Sequence, residues 1–267
     1  MQFKNIKNGT FVLGDCLEVM KTIPDNYFDM IITSPPYDNL RNYTNDLEWT
    51  FESFKKIAKE LFRVCKEGAS LVWIVNDEKI KGCESLTSFK QCIEFVNIGF
   101  NLNDSMIWNK GGFSAVGALK TQYAPVFEFM FVFCKGKLKT FNPLKDRENK
   151  HKGKLIQKTK RQIDGTTIKG KSYISSDFGQ RFNVWEIAPQ RQKGDYKHPA
   201  PFPINLIEDH VKSWSNENDM ILDCFAGSGT TAIACENTNR KWVCIEISEK
   251  YANFAVERIL KHEVENV

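Results

Sequence analysis

Residues 223–231 read Asp223-Cys224-Phe225-Ala226-Gly227-Ser228-Gly229-Thr230-Thr231, and this stretch decides the fold that we predict for the 267-residue chain. An apolar strand pattern over 220–224 runs into it, and a helical pattern over 230–237 leaves it. Glycines let the backbone approach a ligand closely, and the start of a helix offers unpaired N–H groups to an anionic group. The stretch therefore predicts a strand, a glycine turn and a helix that bind a small molecule.

The glycine turn matches the pattern G-x-G-x-x-A through Gly227, Gly229 and Ala232. Glu246 ends the next predicted strand, 241–247, where an acid accepts hydrogen bonds from ribose hydroxyls. No Lys follows Gly229, so the turn is not the phosphate loop of a nucleoside triphosphatase. A turn that only packs a helix on a sheet leaves Glu246 unexplained, and we favour a nucleoside-containing cofactor.

Apolar runs alternate with helical patterns along most of the chain, which is typical of an α/β sheet. Strands are predicted over residues 10–13, 28–33, 71–75, 105–109, 126–134, 220–224 and 241–247, and helices over 52–64, 86–96, 204–214, 230–237 and 249–260. We predict that the sheet is mostly parallel and that strands 105–109 and 126–134 close it as an antiparallel edge.

A second turn, Thr33-Ser34-Pro35-Pro36-Tyr37, completes and follows the buried strand pattern over 28–33. The two prolines remove N–H donors, so the turn presents carbonyl oxygens as acceptors. With the Ser34 hydroxyl and the flat ring of Tyr37, it suits a planar ring that carries an exocyclic amine. Alone, the segment would be interpreted as a strand-ending turn with a surface tyrosine. Ligands of open α/β sheets bind beyond the carboxyl ends of strands, so both turns line one crevice if their strands are neighbours.

Positive charge is concentrated in the middle of the chain. Residues 135–171 contain eleven Lys and two Arg against three acidic residues, a net charge of +10 in a chain whose formal net charge is +4. A basic block of this kind favours a polyanionic partner such as nucleic acid, although a solvated loop has the same composition. The side chains that we single out for nucleic-acid binding are Lys150, Lys152, Lys154, Lys158, Lys160 and Arg161.

Other classes of protein fit the sequence poorly. The eight cysteines form no C-x-x-C pair and the four histidines lack metal-ligand spacing, so we expect reduced thiols and no metal. No secretory signal is evident, and the apolar run 126–134 is too short to span a membrane. These observations predict a cytoplasmic protein.

The two turns together resemble the motifs of the amino-methyltransferases that act on DNA, which use S-adenosylmethionine and carry [DNS]-P-P-[YF] and F-x-G-x-G. Here the motifs are Ser34-Pro35-Pro36-Tyr37 and Phe225-Ala226-Gly227-Ser228-Gly229. Their order, on either side of a basic middle, is similar to the circularly permuted β group of prokaryotic restriction-modification systems. The resemblance covers about residues 11–134 and 198–260 and implies a Rossmann-like methyltransferase sheet.

The resemblance also divides the chain. It implies a catalytic half over residues 1–135, an inserted target-recognition region over 136–197 and a cofactor-binding half over 198–267. Double-stranded DNA is the implied partner, and a cognate restriction endonuclease is a candidate second partner. We expect a monomer or a homodimer.

Further cofactor contacts follow from the resemblance alone. Asp15 would hold the adenine, and Asp223 would take the methionine ammonium. Pro201 and Phe202 belong to a segment, 198–203, that covers the methionine end of the cofactor in the family. Cys224 replaces the proline that is commonest in the family's glycine loop, and we expect this difference to have little effect.

The reaction implied is methylation of the exocyclic amine of a flipped-out base. Ser34 and the Pro35 carbonyl would accept the amine hydrogens while the base stacks on Tyr37. Within the family, Ser at the first motif position accompanies cytosine N4 more often and Asp accompanies adenine N6, so Ser34 favours cytosine N4 and adenine N6 is the alternative.

Three other functions stay open on the sequence alone. An NAD-dependent oxidoreductase would use the glycine turn and Glu246 but not the proline turn or the basic block. Related folds with an Asn-Pro-Pro-Tyr loop methylate protein glutamine or RNA. A nucleic-acid-binding module that keeps a methyltransferase shell would need neither Ser34 nor Tyr37.

Overall fold

A computed structural model describes residues 1–36, 49–112, 123–190 and 201–265, and strands and helices account for most of them. The strands are β1 Gln2–Ile6, β2 Gly9–Leu13, β3 Phe28–Thr33, β4 Cys65–Val75, β5 Lys79–Ile80, β6 Cys83–Glu84, β7 Phe100–Asn109, β8 Phe127–Lys135, β9 Arg147–Glu148, β10 Leu155–Arg161, β11 Thr167–Ile174, β12 Phe178–Gly179, β13 Val184–Glu186, β14 Met220–Asp223 and β15 Lys241–Glu246. The helices are α1 Cys16–Lys21, α2 Phe51–Val64, α3 Thr87–Ile98, α4 Ile204–Trp214, α5 Thr230–Asn237 and α6 Glu249–Glu265.

The chain divides into two compact units. The first comprises Met1–Asn142 and Asn183–Val267, and the second comprises Pro143–Phe182. The first unit is built on a nine-stranded sheet with the order β1-β2-β15-β14-β3-β4-β8-β7-β13. The second contains the antiparallel pairs β10–β11 and β9–β12.

Strands β2, β15, β14, β3 and β4 run parallel to one another at the centre of the large sheet. Strand β8 is antiparallel to both β4 and β7. The predicted α/β fold with a mostly parallel sheet is therefore confirmed. The prediction that β7 and β8 close the sheet was wrong in detail, because the three-residue β13 pairs parallel with β7 outside them and β1 adds an antiparallel strand at the opposite edge.

Continuous apolar runs explain the central strands. Met30, Ile31 and Ile32 in β3 expose none of their surface, as expected for a strand covered on both faces. On α2, Phe54 and Leu61 are equally buried and belong to one apolar cluster with Ile31. Each such side chain contributes about 1.5–3 kcal/mol through burial, so the core fixes the positions of the strand ends that carry the polar loops.

Most predicted elements are confirmed. Helices α4 and α5 and strand β3 have the predicted bounds. Strand β4 begins at Cys65 rather than at residue 71, because its polar first residues continue the ladder with β3: Cys65 lies opposite Phe28, and Lys66 forms an ion pair of 2.7 Å with Asp29. In the described ranges, no helix has the length and apolar character needed to cross a bilayer.

Candidate active site

The glycine turn and the proline turn leave the same edge of the sheet from neighbouring strands. Strands β3 and β14 pair in parallel, with Met30 opposite Ile221 and Ile31 opposite Leu222. Beyond these pairs, Thr33 Oγ1 donates a hydrogen bond of 2.7 Å to Asp223 Oδ1 across 190 positions of the chain. The two motifs therefore begin side by side, at one crevice of the sheet.

Asp223 joins the two turns through its buried carboxylate. Oδ1 accepts from Thr33 Oγ1 and from the Phe225 N–H at 3.1 Å, and Oδ2 accepts from Thr231 Oγ1 at 2.5 Å. Burial raises the pKa of Asp223, and the hydrogen bonds from Thr231, Thr33 and the Phe225 backbone oppose that rise. Both oxygens are already engaged within the protein, so Asp223 holds the crevice together, whether or not it also contacts a ligand.

The glycine turn brings backbone N–H groups to the crevice. Gly227 and Gly229 have φ values of 50° and 74°, which favour glycine. A Cβ on Gly229 would lie 3.1 Å from both Ala255 and Ile259 of α6, a tighter contact than most Cβ atoms make. Helix α5 begins beyond Gly229 without a side-chain cap, and its first N–H groups are available to an acceptor.

Glu246 ends β15, beside the glycine turn. Its Oε2 accepts from the Gly227 N–H and its Oε1 accepts from the Ser248 N–H, both at 2.9 Å. Burial raises the pKa of Glu246, while these two backbone bonds lower it. Each oxygen keeps a second lone pair, which suits the predicted contact with a ribose diol.

Asp15 follows β2, the next strand along the same edge. The Gly14 N–H donates to the Glu246 carbonyl oxygen at 2.9 Å, so Asp15 lies close to the end of β15. Asp15 caps α1, because its Oδ1 accepts from the Leu17 and Glu18 N–H groups at 2.8 and 3.1 Å. The adenine contact of Asp15 stays a prediction.

The catalytic motif is described only in part. Ser34, Pro35 and Pro36 extend from β3, with Pro35 buried and the other two half-buried. Tyr37 lies outside the described residues, and its predicted stacking role stays a prediction.

Phe225 is packed into the apolar core at the floor of the crevice. Its ring makes edge contacts with Trp49 and Trp73, with centroids 5.4 and 6.4 Å apart. Phe202 instead lies against Trp108 of β7, at 5.9 Å, and Pro201 precedes it in the chain. Their predicted place over the methionine end of a cofactor stays a prediction.

Arg258 of α6 is a residue that the sequence did not single out. Its Nη1 donates to the carbonyl oxygen and hydroxyl of Ser228 at 2.8 and 3.2 Å, and to Thr230 Oγ1 at 3.0 Å. Burial lowers the pKa of Arg258. These hydrogen bonds from the guanidinium hold the glycine turn against α6. An Arg in an amphipathic helix gives no signal of such a role.

Comparison with known proteins identifies the family. A family model described as DNA methylase matches residues 28–257, a range that contains both turns and everything between them. The chain belongs to the DNA methylase family. The methylase is 44% identical over 247 residues to the orphan methyltransferase M.BamHII of Bacillus amyloliquefaciens, covering 90% of this chain and 91% of the relative.

Solved structures share the methylase fold at low sequence identity. The PvuII DNA methyltransferase, which is named as cytosine-N4-specific, superposes with a TM-score of 0.70 at 19% identity, over 97% of this chain and 92% of the other. The complex of M1.HpyAVI with SAM superposes with a TM-score of 0.64 at 21% identity, over 93% and 98% of the two chains. The family model and the likeness to M.BamHII confirm the resemblance drawn from the two motifs, and the solved structures confirm the fold that it implied.

The basic side chains that we singled out for nucleic-acid binding lie in the second unit of the methylase. All six that we singled out for nucleic-acid binding are exposed: Lys150, Lys152, Lys154, Lys158, Lys160 and Arg161. Exposure leaves them accessible to a partner, and their contact with nucleic acid stays a prediction.

Replacing Glu246 with Gln is expected to weaken cofactor binding by the methylase about tenfold, the effect of about 1.4 kcal/mol. A Gln amide would turn its NH₂ group toward the N–H of Gly227 or Ser248, where only an acceptor fits. Isothermal titration calorimetry with S-adenosylmethionine measures the change.

The raised pKa of Glu246 adds a pH dependence to this test. Protonation removes an acceptor, so we expect the wild-type affinity to fall as the pH falls through that raised pKa. Glu246→Gln should have a flatter profile. Identical profiles for the two proteins would contradict a role of the Glu246 carboxylate.

Proposed function

We propose that the chain is an S-adenosylmethionine-dependent DNA methyltransferase that modifies the exocyclic amine of a base, with cytosine N4 as the target. The observation that carries the proposal is the hydrogen bond between Thr33 and Asp223, because it brings the proline turn and the glycine turn to one crevice. A donor and an acceptor bound at these two turns would be neighbours.

The ends of three adjacent strands suit the cofactor. Asp15 follows β2, Glu246 ends β15 and Asp223 ends β14. Asp15 would contact the adenine of the cofactor, Glu246 the ribose and Asp223 the methionine ammonium. The start of α5, which has no side-chain cap, would accept polar atoms of the cofactor between these carboxylates. S-adenosylmethionine, when bound, would supply a methyl group on a sulfonium sulfur, and attack by an amine nitrogen would break the methyl–sulfur bond and release S-adenosylhomocysteine.

The proline turn would activate the target amine. The amine lone pair is delocalised into the base ring, which makes the nitrogen a poor nucleophile. Hydrogen bonds accepted by Ser34 Oγ and the Pro35 carbonyl would draw the amine hydrogens out of the ring plane and direct the lone pair toward the donor. The protein contributes positioning and electrostatics, and the excess proton leaves to water or to these acceptors.

Access to the amine requires the base to leave the duplex. We propose base flipping, with the flipped base stacked on Tyr37 and with residues 136–197 as the target-recognition region. The relative M.BamHII is named an orphan methyltransferase, which favours a methylase that acts without a cognate nuclease.

The choice of cytosine N4 rests on Ser34 and is supported by the cytosine-N4 specificity in the name of the PvuII enzyme. Unmethylated genomic DNA should be incubated with the protein and S-adenosylmethionine, digested to nucleosides and analysed by mass spectrometry. We expect N4-methylcytosine. If N6-methyladenine is found instead, the target base is adenine and the proposed mechanism is unchanged. Methyl transfer to RNA or protein but not to DNA would contradict the proposal.

Reversing the charge of Lys150, Lys152 and Lys154 is expected to weaken DNA binding and to flatten its dependence on salt. Log K falls as log salt concentration rises, and each lost phosphate contact makes this slope less steep by about 0.9. Fluorescence anisotropy at several salt concentrations measures both quantities. An unchanged salt slope would show that these lysines do not contact phosphates.

A further inference from the structure

Helix α3 presents apolar side chains to water on its outer side. Phe89, Ile93 and Val96 follow the spacing i, i+4 and i+7, so they lie within about 60° of the helix circumference. They are 44, 62 and 47% exposed. A surface helix normally turns its apolar stripe to the core and its polar side chains to water. Helix α3 therefore has an apolar stripe on the side where polar residues are expected.

The inner side of α3 contains polar side chains. Gln91 Oε1 accepts a hydrogen bond of 2.8 Å from Trp73 Nε1, and Ser88 Oγ donates one of 2.6 Å to Asp77 Oδ2. Both Ser88 and Gln91 are buried, although larger apolar side chains of the same helix are exposed. Buried polar groups on one side and an exposed apolar stripe on the other are typical of a helix whose outer side meets a partner.

The apolar surface continues from α3 onto strand β8. The ring centroid of Phe129 lies 5.4 Å from that of Phe89 and 5.3 Å from that of Phe127, which is 40% exposed. We call Phe89, Ile93, Val96 and Phe127 the α3 patch. Together they expose roughly 400 Å². A standard interface buries about 800 Å² per partner, of which a little over half is apolar, so the α3 patch is large enough to form the core of one.

Two opposite charges flank the stripe on the same side of α3. Lys90 and Glu94 lie about one turn apart, and the point midway between them, beside Cys92, is within one residue of the middle of the stripe. A twofold axis at this point that packs two α3 helices antiparallel also places each Lys90 opposite the partner's Glu94. Lys90 Nζ donates to the Ser85 carbonyl oxygen at 3.1 Å, and an ammonium has two further protons for a carboxylate.

A second copy of the chain fits the α3 patch better than nucleic acid does. Around a twofold axis the stripe meets an identical stripe, and one Lys and one Glu become two ion pairs, so the surface is self-complementary. Protein surfaces that bind DNA are polar and strongly basic, whereas the α3 patch is apolar and the charges of Lys90 and Glu94 cancel.

We propose that the chain forms a homodimer in which the α3 patches of two copies pack against each other, with the two α3 helices antiparallel about a twofold axis. Ile93 lies near the axis and packs against its counterpart, and Phe89 packs toward the partner's Val96. The two pairs of Lys90 with the partner's Glu94 form one rim of the interface. The homodimer is one of the two oligomeric states expected from the sequence.

The variant Ile93→Asp is expected to dissociate the dimer. The substitution occurs twice in a symmetric interface, so a loss of about tenfold for each copy raises the dissociation constant about 100-fold. Ile163→Asp is the matched control, because Ile163 is an exposed isoleucine between β10 and β11, outside the α3 patch. Sedimentation velocity over a range of protein concentrations measures the dissociation constant, and circular dichroism checks that each variant is folded.

Charge reversal tests the antiparallel arrangement. Lys90→Glu and Glu94→Lys each place like charges opposite each other in a homodimer, so each variant alone should dimerise about tenfold more weakly than the wild type. When the two variants are mixed, a heterodimer places opposite charges at both positions. We therefore expect native mass spectrometry to show more heterodimer than both homodimers together, a preference that charge effects within a single helix do not produce.

Three results would overturn the homodimer at α3: a wild type that is monomeric at every concentration, a dimer that Ile93→Asp leaves intact, or an equal loss in Ile163→Asp. A mixture of Lys90→Glu and Glu94→Lys without a preference for the heterodimer would overturn the antiparallel arrangement. None of these measurements depends on methyl transfer, so their outcome is separate from that of the proposed function.

Discussion

Replacing Ser34 with Ala lowers the rate of methyl transfer by about 10²–10³-fold and leaves the affinity for S-adenosylmethionine within about twofold of the wild type. The Ser34 hydroxyl stands in the proline turn, beyond Thr33, and the carboxylates that suit the cofactor lie at the ends of β2, β15 and β14. The variant loses the Ser34 hydroxyl, which would accept a hydrogen bond from the target amine during methyl transfer. Single-turnover rates with labelled cofactor, together with calorimetry, separate the two effects.

Ser34→Asp is the informative companion variant. Asp is allowed at this motif position and keeps an oxygen acceptor, so we expect it to retain more activity than Ser34→Ala. A parallel loss of transfer and of cofactor affinity in Ser34→Ala would disprove this division of roles between the two turns.

Replacing Asp223 with Ala is expected to lower the free energy of unfolding by about 3–5 kcal/mol and to weaken cofactor binding at least about tenfold. The change leaves the buried hydroxyls of Thr33 and Thr231 and the Phe225 N–H without their acceptor. The link between the two turns is lost with them. Urea denaturation and calorimetry measure the two quantities.

Asp29→Ala is the matched control for Asp223→Ala. Asp29 also links β3 to β14, but at the opposite end of the strands, through a 3.0 Å bond from the Met220 N–H. We expect Asp29→Ala to reduce stability without changing cofactor affinity. If both variants lose cofactor affinity equally, Asp223 has no specific role in the crevice.

Asp223→Asn tests the charge. The pKa of Asp223 is raised, so the folded state binds more protons than the unfolded state between the two pKa values. The contribution of Asp223 to stability is therefore fully present below the unfolded pKa and is lost as the pH rises through the folded pKa. Asp223→Asn should remove this component of the pH dependence.

The central sheet could be predicted from the sequence because its strands are apolar runs bounded by glycine and proline. Strand β3 and helices α4 and α5 follow such patterns. Strand β13 could not be predicted, since only Trp185 of its three residues is buried and three residues are too few to establish a two-residue period in the sequence. The strand pair β10–β11 could not be predicted either, because both of its faces are exposed and its sequence therefore shows no alternation of apolar and polar residues.

The site was predicted only where a motif marks it. No local pattern shows that β3 and β14 pair, and their meeting was inferred from the two motifs together. In the sequence, nothing distinguishes Thr33 at the end of a strand or Thr231 at the start of a helix. In the structure, both hydroxyls donate hydrogen bonds to the Asp223 carboxylate. Trp49 and Arg258 support the glycine turn from distant segments, and contacts of that kind appear only in three dimensions.

The pairing of β3 with β14 also sets when the enzyme becomes competent during synthesis. A ribosome delivers residues 28–33 early and residues 220–223 close to 190 codons later. Until then β3 lacks its neighbour β14, and its unpaired apolar edge can associate with other nascent chains. Translation that stops within the basic block would therefore release a protein that carries the Ser34 turn but cannot methylate DNA.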